Sequence, residues 1–333
     1  MSTRMPATMP ALAVGERIQE PLLVLEVELR GGEAPHTILT LGNRTGRLAT
    51  APFWSSDQPK IAGIARGDVV QVIGEVGTYR DRRQLAVTSI RVLPQDSVDW
   101  HTLLPSVGEI TPFWEALDRW RREIRAPRLR ETLALFYEDP QFRSRYEQCP
   151  ASLSGHHAML GGLLKHTAEV AAVGRVIARI AGADQELLLT GVLLHDVGKV
   201  EAYTWERGFQ VTEDGALVGH VVLGAMMLDR RVAAAPQPPC TATELRILHH
   251  LILSHHGELA FGAPVKPMTL EAEVLHYADN ASAKAASMAQ ALTDPEHFVG
   301  EAVLSQRGIW QLDKRQVYRG TSDWGRGDLT TER

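Results

Sequence analysis

At 333 residues the chain exceeds the usual size of one domain, and 44% hydrophobic with 23% charged residues leaves enough apolar material for two packed cores, which excludes an intrinsically disordered chain. Two cysteines, Cys149 and Cys240, exclude a disulfide framework and a thiolate metal site, and no apolar run approaches a membrane span, so a cytoplasmic protein without a membrane partner is expected. Of the net charge of −5, the carboxylate excess lies in residues 151–333, with 16 Lys+Arg against 21 Asp+Glu, so charge alone gives no argument for nucleic-acid binding.

Residues 22–93 alternate with period two. Leu25, Val27 and Leu29 interleave with Glu26, Glu28 and Arg30, and Val70, Val72 and Val76 with Gln71 and Glu75. This predicts half-buried strands. Further strands are predicted at 36–41, 47–54 and 84–92, with turns at Gly31-Gly32, Gly42-Asn43 and 80–83. Five short strands in so few residues predict a small all-β barrel over 14–94. Its candidate base-stacking platforms are Phe53, Trp54 and Tyr79, with Arg44, Arg47, Arg80, Arg82 and Arg83 nearby for phosphates. Only one of Phe53 and Trp54 can face outward if the segment is a strand.

Residues 95–112, punctuated by Pro105 and Pro112 and preceded by Pro94, lack periodicity and read as a linker. From 113 to 315 the pattern is helical, with Phe113, Leu117, Trp120 and Ile124, then Leu129, Leu133 and Phe136, at helical spacing; 316–333 form a tail. The fold class is multidomain, a small all-β barrel followed by an all-α domain.

Ten of the 13 histidines lie between His156 and His276. His166 falls on the stripe of Leu163, Val170, Val173, Ile177 and Ile180, and His195 and Asp196 continue the face of Leu188 and Val192, with Gly198 as the expected helix stop. His220 lies between Leu217 and Met227, His255 and His256 follow Leu248 and Ile252, and Asp279 follows Leu275. Imidazoles and carboxylates are costly in a core unless paired or ligated, so inward polar groups on five helices point to a shared cation. Nitrogen and oxygen donors without thiolates suit Mn, Fe, Zn or Co better than Mg or Ca.

The order His166, His195-Asp196, Asp279 resembles the H…HD…D signature of the HD-domain metallophosphohydrolases. With His220 and His255-His256 inserted, it looks like the members of that superfamily that bind two or more metals. The wider layout includes Pro150-Ala151, His156-His157 and Gly161-Gly162-Leu163-Leu164-Lys165-His166-Thr167, behind a small barrel. It resembles the YhaM-type 3′–5′ exoribonucleases over nearly the whole chain. The resemblance implies an OB-fold nucleic-acid-binding domain before a helical HD domain. It also implies a divalent transition metal pair, with Mn2+ or Fe2+ favoured and Zn2+ or Co2+ as alternatives. By analogy one ion belongs to His166, His195, Asp196 and Asp279, and Asp196 bridges to a second held by His220, His255 and His256. Two such cations about 3.5–4 Å apart clamp a phosphodiester and generate hydroxide near neutral pH. Asp196 and Lys199 are the catalytic candidates, Lys199 as a phosphate neutraliser one turn beyond His195; His157 is a candidate substrate contact.

The function implied is 3′–5′ exoribonuclease action on single-stranded RNA, with single-stranded DNA as a second substrate to test. Two alternatives stand beside it. One is an HD phosphohydrolase of small nucleotides or cyclic dinucleotides, and the other a non-catalytic RNA-binding protein with a structural metal site. A homo-oligomer is compatible with all three.

Overall fold

The computed structural model describes residues 7–32, 34–80, 82–206, 208–294, 297–322 and 324. Two compact units divide the chain, one running to Ala283 and the other starting at Lys284.

The first unit opens with five strands, β1 (Arg17–Arg30), β2 (His36–Asn43), β3 (Gly46–Ala49), β4 (Val69–Tyr79) and β5 (Arg82–Val92). Their order is β3-β2-β1-β4-β5, antiparallel throughout. Just past β3, Thr50 makes a parallel bridge to Leu85, and the Ala51 N–H donates to the Leu85 carbonyl at 2.9 Å. That bridge brings the two sheet edges together, so the sheet curls into an open barrel of the OB type. Leu22, Leu39, Leu41, Val70, Val72 and Leu85 fill it. At the bulge between Ile73 and Gly74 a side chain would stand 2.7 Å from the Ala86 carbonyl, which is why glycine holds the bend.

The expected alternation along β1 holds only in part. Leu22, Leu23 and Val24 are buried, whereas Val27 is 42% and Leu29 77% exposed. A bulge between Val24 and Glu26 shifts the register, and β4 pairs with β1 no further than Leu23, so residues 26–30 have β2 alone as a ladder partner among the described residues. Their inward face has no opposite wall to pack on.

Residues 95–112 are more ordered than a linker. They contain α1 (Trp100–Leu103), and Pro105 and Val107 bond to the backbone of Leu160 at 2.8 and 3.0 Å. Leu103 and Leu104 pack with Leu23 and Val69 of the barrel and with Leu160 and Phe209 of the helical part.

Next come α2 (Thr111–Glu123), α3 (Pro127–Tyr137), α4 (Pro140–Tyr146), α5 (Gly162–Ala181), α6 (Gln185–Leu194) and α7 (Lys199–Ala202). A hairpin of β6 (Tyr203–Thr204) and β7 (Gln210–Val211) precedes α8 (Glu213–Leu217), α9 (His220–Ala234), α10 (Ala242–Ser254) and α11 (Leu270–Thr293). Helix starts follow their caps: Asp184 accepts from the Glu186 and Leu187 N–H groups, and Thr241 with Glu244 forms a capping box for α10. Leu163, Val170, Leu188, Val192, Ile252 and Leu275 belong to one core. The second unit is small, with Ala291, Phe298, Ile309, Leu312 and Val317 packed together, so Val317 of the expected tail is a buried residue.

Candidate metal centre

Each donor sits where one of these elements begins, ends or turns inward. His166 lies on α5 between the buried Leu163 and Val170. α6 ends at Leu194, one turn earlier than the stop expected at Gly198, so His195 caps it and Asp196 occupies the turn before α7. Gly198 has another duty: a side chain there would stand 2.0 Å from the His220 carbonyl and 2.4 Å from the Gly224 nitrogen. The glycine lets the Asp196 turn lie directly against the start of α9, which His220 opens. His255 and His256 follow the end of α10, and Gly257, with φ +77°, turns the chain where a side chain would overlap the His276 ring. Asp279 projects from α11.

These side chains converge on Asp196. Its Oδ2 lies 3.2 Å from His195 Nε2 and 3.6 Å from His166 Nε2, and its Oδ1 lies 3.5 Å from His220 Nε2 and 3.6 Å from His255 Nε2. Asp279 Oδ1 is 2.9 Å from His166 Nε2. Two trios, His166/His195/Asp196 and His220/His255/His256, each gather their donor atoms within 4.8 Å of one another. Ring orientation is set from outside. His195 and His255 each donate Nδ1–H at 2.6 Å to a carbonyl three residues back, Val192 and Ile252, and His256 donates to the Phe261 carbonyl at 2.8 Å. Each therefore turns its Nε2 lone pair toward the centre.

Asp196 Oδ1, His220 Nε2 and His255 Nε2 are buried with no hydrogen-bond partner among the described residues. Leaving three such atoms aimed at one point is costly, and a divalent cation satisfies all three at once. Electrostatics agrees. Burial opposes ionisation of Asp196, but Lys199 and His195 outweigh it and hold the carboxyl well below its usual range. Burial likewise opposes ionisation of Asp279, and the adjoining imidazoles of His166, His255 and His195 outweigh it and hold the carboxyl low. Burial and the Lys199 charge push His220 down to about 3, and burial with neighbouring imidazoles holds His255 neutral. Ionised carboxylates beside the neutral His220 and His255 are the protonation states that metal ligation requires; His195 goes the other way, since burial would lower its pKa but the Asp196 charge raises it overall.

Lys199 is placed inside the centre, 5% exposed, with Nζ 2.6 Å from Asp196 Oδ2. Burial would lower its pKa, but Asp196 raises it overall and keeps the ammonium charged. His157, expected to face substrate, is buried and bonded through Nε2 to Glu169 Oε2 at 2.8 Å. Its neighbour His156 is half-buried, with its ring centroid 5.1 Å from that of His166. Glu169 and Ser282, which also meet at 2.8 Å, were not singled out in the sequence; the one available signal was the spacing of Glu169 one helical turn from His166. Two other clustered histidines serve the fold: His250 accepts from the Met268 N–H, and His276 donates to the His255 carbonyl.

On the barrel, Phe53 is buried while Trp54 is 46% exposed with its ring 4.7 Å from that of His36. Tyr79 is 60% exposed beneath Arg80, and Arg82 pairs across the hairpin from it. Arg83 is committed to the Pro10 and Leu12 carbonyls.

Known proteins resemble this chain in sequence. Residues 163–284 match the HD domain family. The 3′-5′ exoribonuclease YhaM of Bacillus subtilis (strain 168) is 29% identical over 313 residues, covering 92% of this chain and 96% of the relative. The protein of the same name from Shouchella clausii (strain KSM-K16) is 30% identical over 314 residues, covering 92% of this chain and 94% of the relative. That from Bacillus velezensis is 29% identical over 316 residues. Similarity of that extent spans nearly the whole chain, and on it the chain belongs to the family of the YhaM 3′-5′ exoribonucleases.

Proposed function

We propose that the chain is a metal-dependent 3′–5′ exoribonuclease, in which the centre around Asp196 hydrolyses the phosphodiester and the barrel holds single-stranded RNA. The direction of attack and the RNA substrate rest on the names of the relatives. The observation that carries the chemistry is the trio of buried, unpartnered atoms on Asp196, His220 and His255.

His166, His195, Asp196 and Asp279 would hold one divalent ion and His220, His255 and His256 a second, with Asp196 adjoining both groups. Two divalent ions of the Mn2+ or Fe2+ type fit donors of this hardness. When bound they supply Lewis acidity toward a phosphoryl oxygen and an acidified water. The chain supplies the rest. Lys199 places a buried ammonium against Asp196 Oδ2, where it moderates the carboxylate charge and offers a counter-charge to a phosphate oxygen. His156, at the rim beside His166, is better placed than the engaged His157 to donate a hydrogen bond to substrate. Trp54 with His36, and Tyr79 with Arg80 and Arg82, offer stacking faces and cations for single-stranded RNA. Among the described residues no helix is long and apolar enough to cross a membrane, and a cytoplasmic site of action goes with an RNA substrate.

The deciding experiment uses 5′-labelled oligoribonucleotides, oligodeoxyribonucleotides and mononucleotide substrates with protein stripped of metal and reloaded with Mn2+. A ladder shortened from the 3′ end of RNA, lost on chelation and restored by Mn2+, is expected. Full activity in verified metal-free protein would sink the reading, and cleavage of mononucleotides alone would move it to a small-nucleotide phosphohydrolase.

A further inference from the structure

We propose that Glu169 is a positioning residue of the metal centre: one of its oxygens orients His166 by way of Ser282 and, by way of His157, fastens the turn that carries His156. The inference rests on the metal-centre reading above.

Glu169 stands one turn beyond His166 on α5, at the edge of the core. Its Oε2 receives two bonds, from Ser282 Oγ at 2.8 Å and from His157 Nε2 at 2.8 Å, while Oε1 faces Lys165 Nζ at 3.9 Å. Ser282 Oγ in turn lies 3.0 Å from His166 Nδ1. Ser282, His157 and His166 are all buried.

Proton bookkeeping gives this chain a direction. An ionised carboxylate only accepts, so the single Ser282 hydroxyl proton must go to Glu169. The Ser282 oxygen is then left as an acceptor, and His166 must carry its own proton on Nδ1 to meet it. His166 Nε2 is thereby kept as the lone-pair nitrogen facing Asp279, Asp196 and His195. Placing the imidazole proton on Nε2 instead would set two acceptors against each other at Ser282, whereas the lone pairs of His166 Nε2 and Asp279 Oδ1, 2.9 Å apart, face each other as two ligands of one cation do. Carboxylates acting at one remove in this way orient ligating histidines and raise their basicity.

The second branch holds backbone. His157 has φ +49°, a conformation that residues with a side chain rarely hold. Its carbonyl accepts from the Ala151 and Met159 N–H groups, and a side chain on Gly162 would stand 2.0 Å from that carbonyl. The Glu169 bond ties the ring of this turn to the helix that bears His166, and so fixes His156 beside the centre.

The two branches predict different kinetic signatures. Ser282→Ala severs only the first. It should weaken Mn2+ binding at one site per chain about 10- to 100-fold and lower kcat while leaving KM for RNA unchanged. Glu169→Ala severs both, so the same loss of affinity should come with a raised KM. Because the links act in series, the double variant should bind Mn2+ no more weakly than Glu169→Ala alone. Glu169→Gln, whose amide oxygen can accept both bonds, should restore most of the affinity, and Lys165→Ala should change nothing. Calorimetric titration with Mn2+ reads affinity and stoichiometry, and circular dichroism of the metal-free protein verifies folding; if Glu169→Ala does not fold, Ser282→Ala and Glu169→Gln decide. Wild-type Mn2+ affinity in Ser282→Ala and Glu169→Ala, beside its loss in Asp196→Ala, would overturn the proposal and leave the metal centre standing. Absence of Mn2+ binding by the wild type would instead overturn the metal centre itself.

Discussion

Asp196 carries more of the centre than any other side chain, because each of its oxygens faces a different donor set while Lys199 leans on one of them. His220→Ala should lower metal content by about one ion per chain and reduce the chemical step, with RNA affinity nearly unchanged, whereas Asp196→Ala should disturb both sites. Elemental analysis beside single-turnover kinetics checks this, and unchanged stoichiometry with normal turnover would make His220 an ordinary core histidine. A stability effect follows separately. In metal-free protein Asp196→Ala leaves the Lys199 ammonium buried without its partner, at a cost of about 3–5 kcal/mol. Urea denaturation reads that loss; a change below about 1 kcal/mol would mean that Lys199 escapes to solvent as a surface ion pair would. The clustered donors were legible because imidazoles and carboxylates interrupt apolar stripes, which is a conflict between pattern and chemistry. Glu169 and Ser282 raised no such conflict, since a half-exposed glutamate and a small hydroxyl fit any helix. The positive φ of His157 leaves no mark on composition at all.

His195, Asp196, His220, His255 and His256 lie at helix ends or in the turns beside them, and glycine decides how closely those ends approach. Gly198→Ala would drive a methyl group into the His220 carbonyl and the Gly224 nitrogen, so α7 and α9 must separate. We expect a loss of about 1–3 kcal/mol from overpacking, together with weaker binding of the ion that needs His220. A variant with wild-type stability and metal content would show that the backbone yields without moving Asp196. The existence of α5, α6, α9, α10 and α11 was readable from helical spacing, yet the end of α6 was not. Leu188 to Leu194 are buried all round, and nothing within that run announces that the helix stops at Leu194; the turn that follows it packs through Gly198 on α9, far away in sequence. β1 shows the reverse case. Its alternation is regular through Leu29, but a bulge and the loss of β4 as neighbour leave Val27 and Leu29 facing solvent, and pairing partners are a tertiary property.

In the function proposed, grip and chemistry occupy different parts of the first unit. Trp54→Ala should remove one stacking face and weaken RNA binding by about 1–3 kcal/mol, while hydrolysis of a small chromogenic phosphodiester stays at the wild-type rate. Equal loss on both substrates would make Trp54 structural. Deleting residues 1–95 is a harsher change, because Leu103, Leu104 and Phe209 pack with Leu23 and Val69 of the barrel. The shortened protein should melt at a lower temperature than the full chain, and thermal unfolding by circular dichroism checks it. That packing explains why residues 95–112 looked like a linker: they have no period of their own and take their order from two neighbours. The barrel and the helical domain were legible from the change of period alone. Finally, the donors come from α5, the α6–α7 turn, α9, the turn after α10, and α11. Any cation they share therefore counts toward folding, and one kept at a hundred times its dissociation constant adds about 2.7 kcal/mol. Proteases cut chains that open, so metal starvation should shorten the half-life of the protein as well as silence it. Limited proteolysis with and without chelator should show the difference, and the abundance of the protein would then track the supply of its ion.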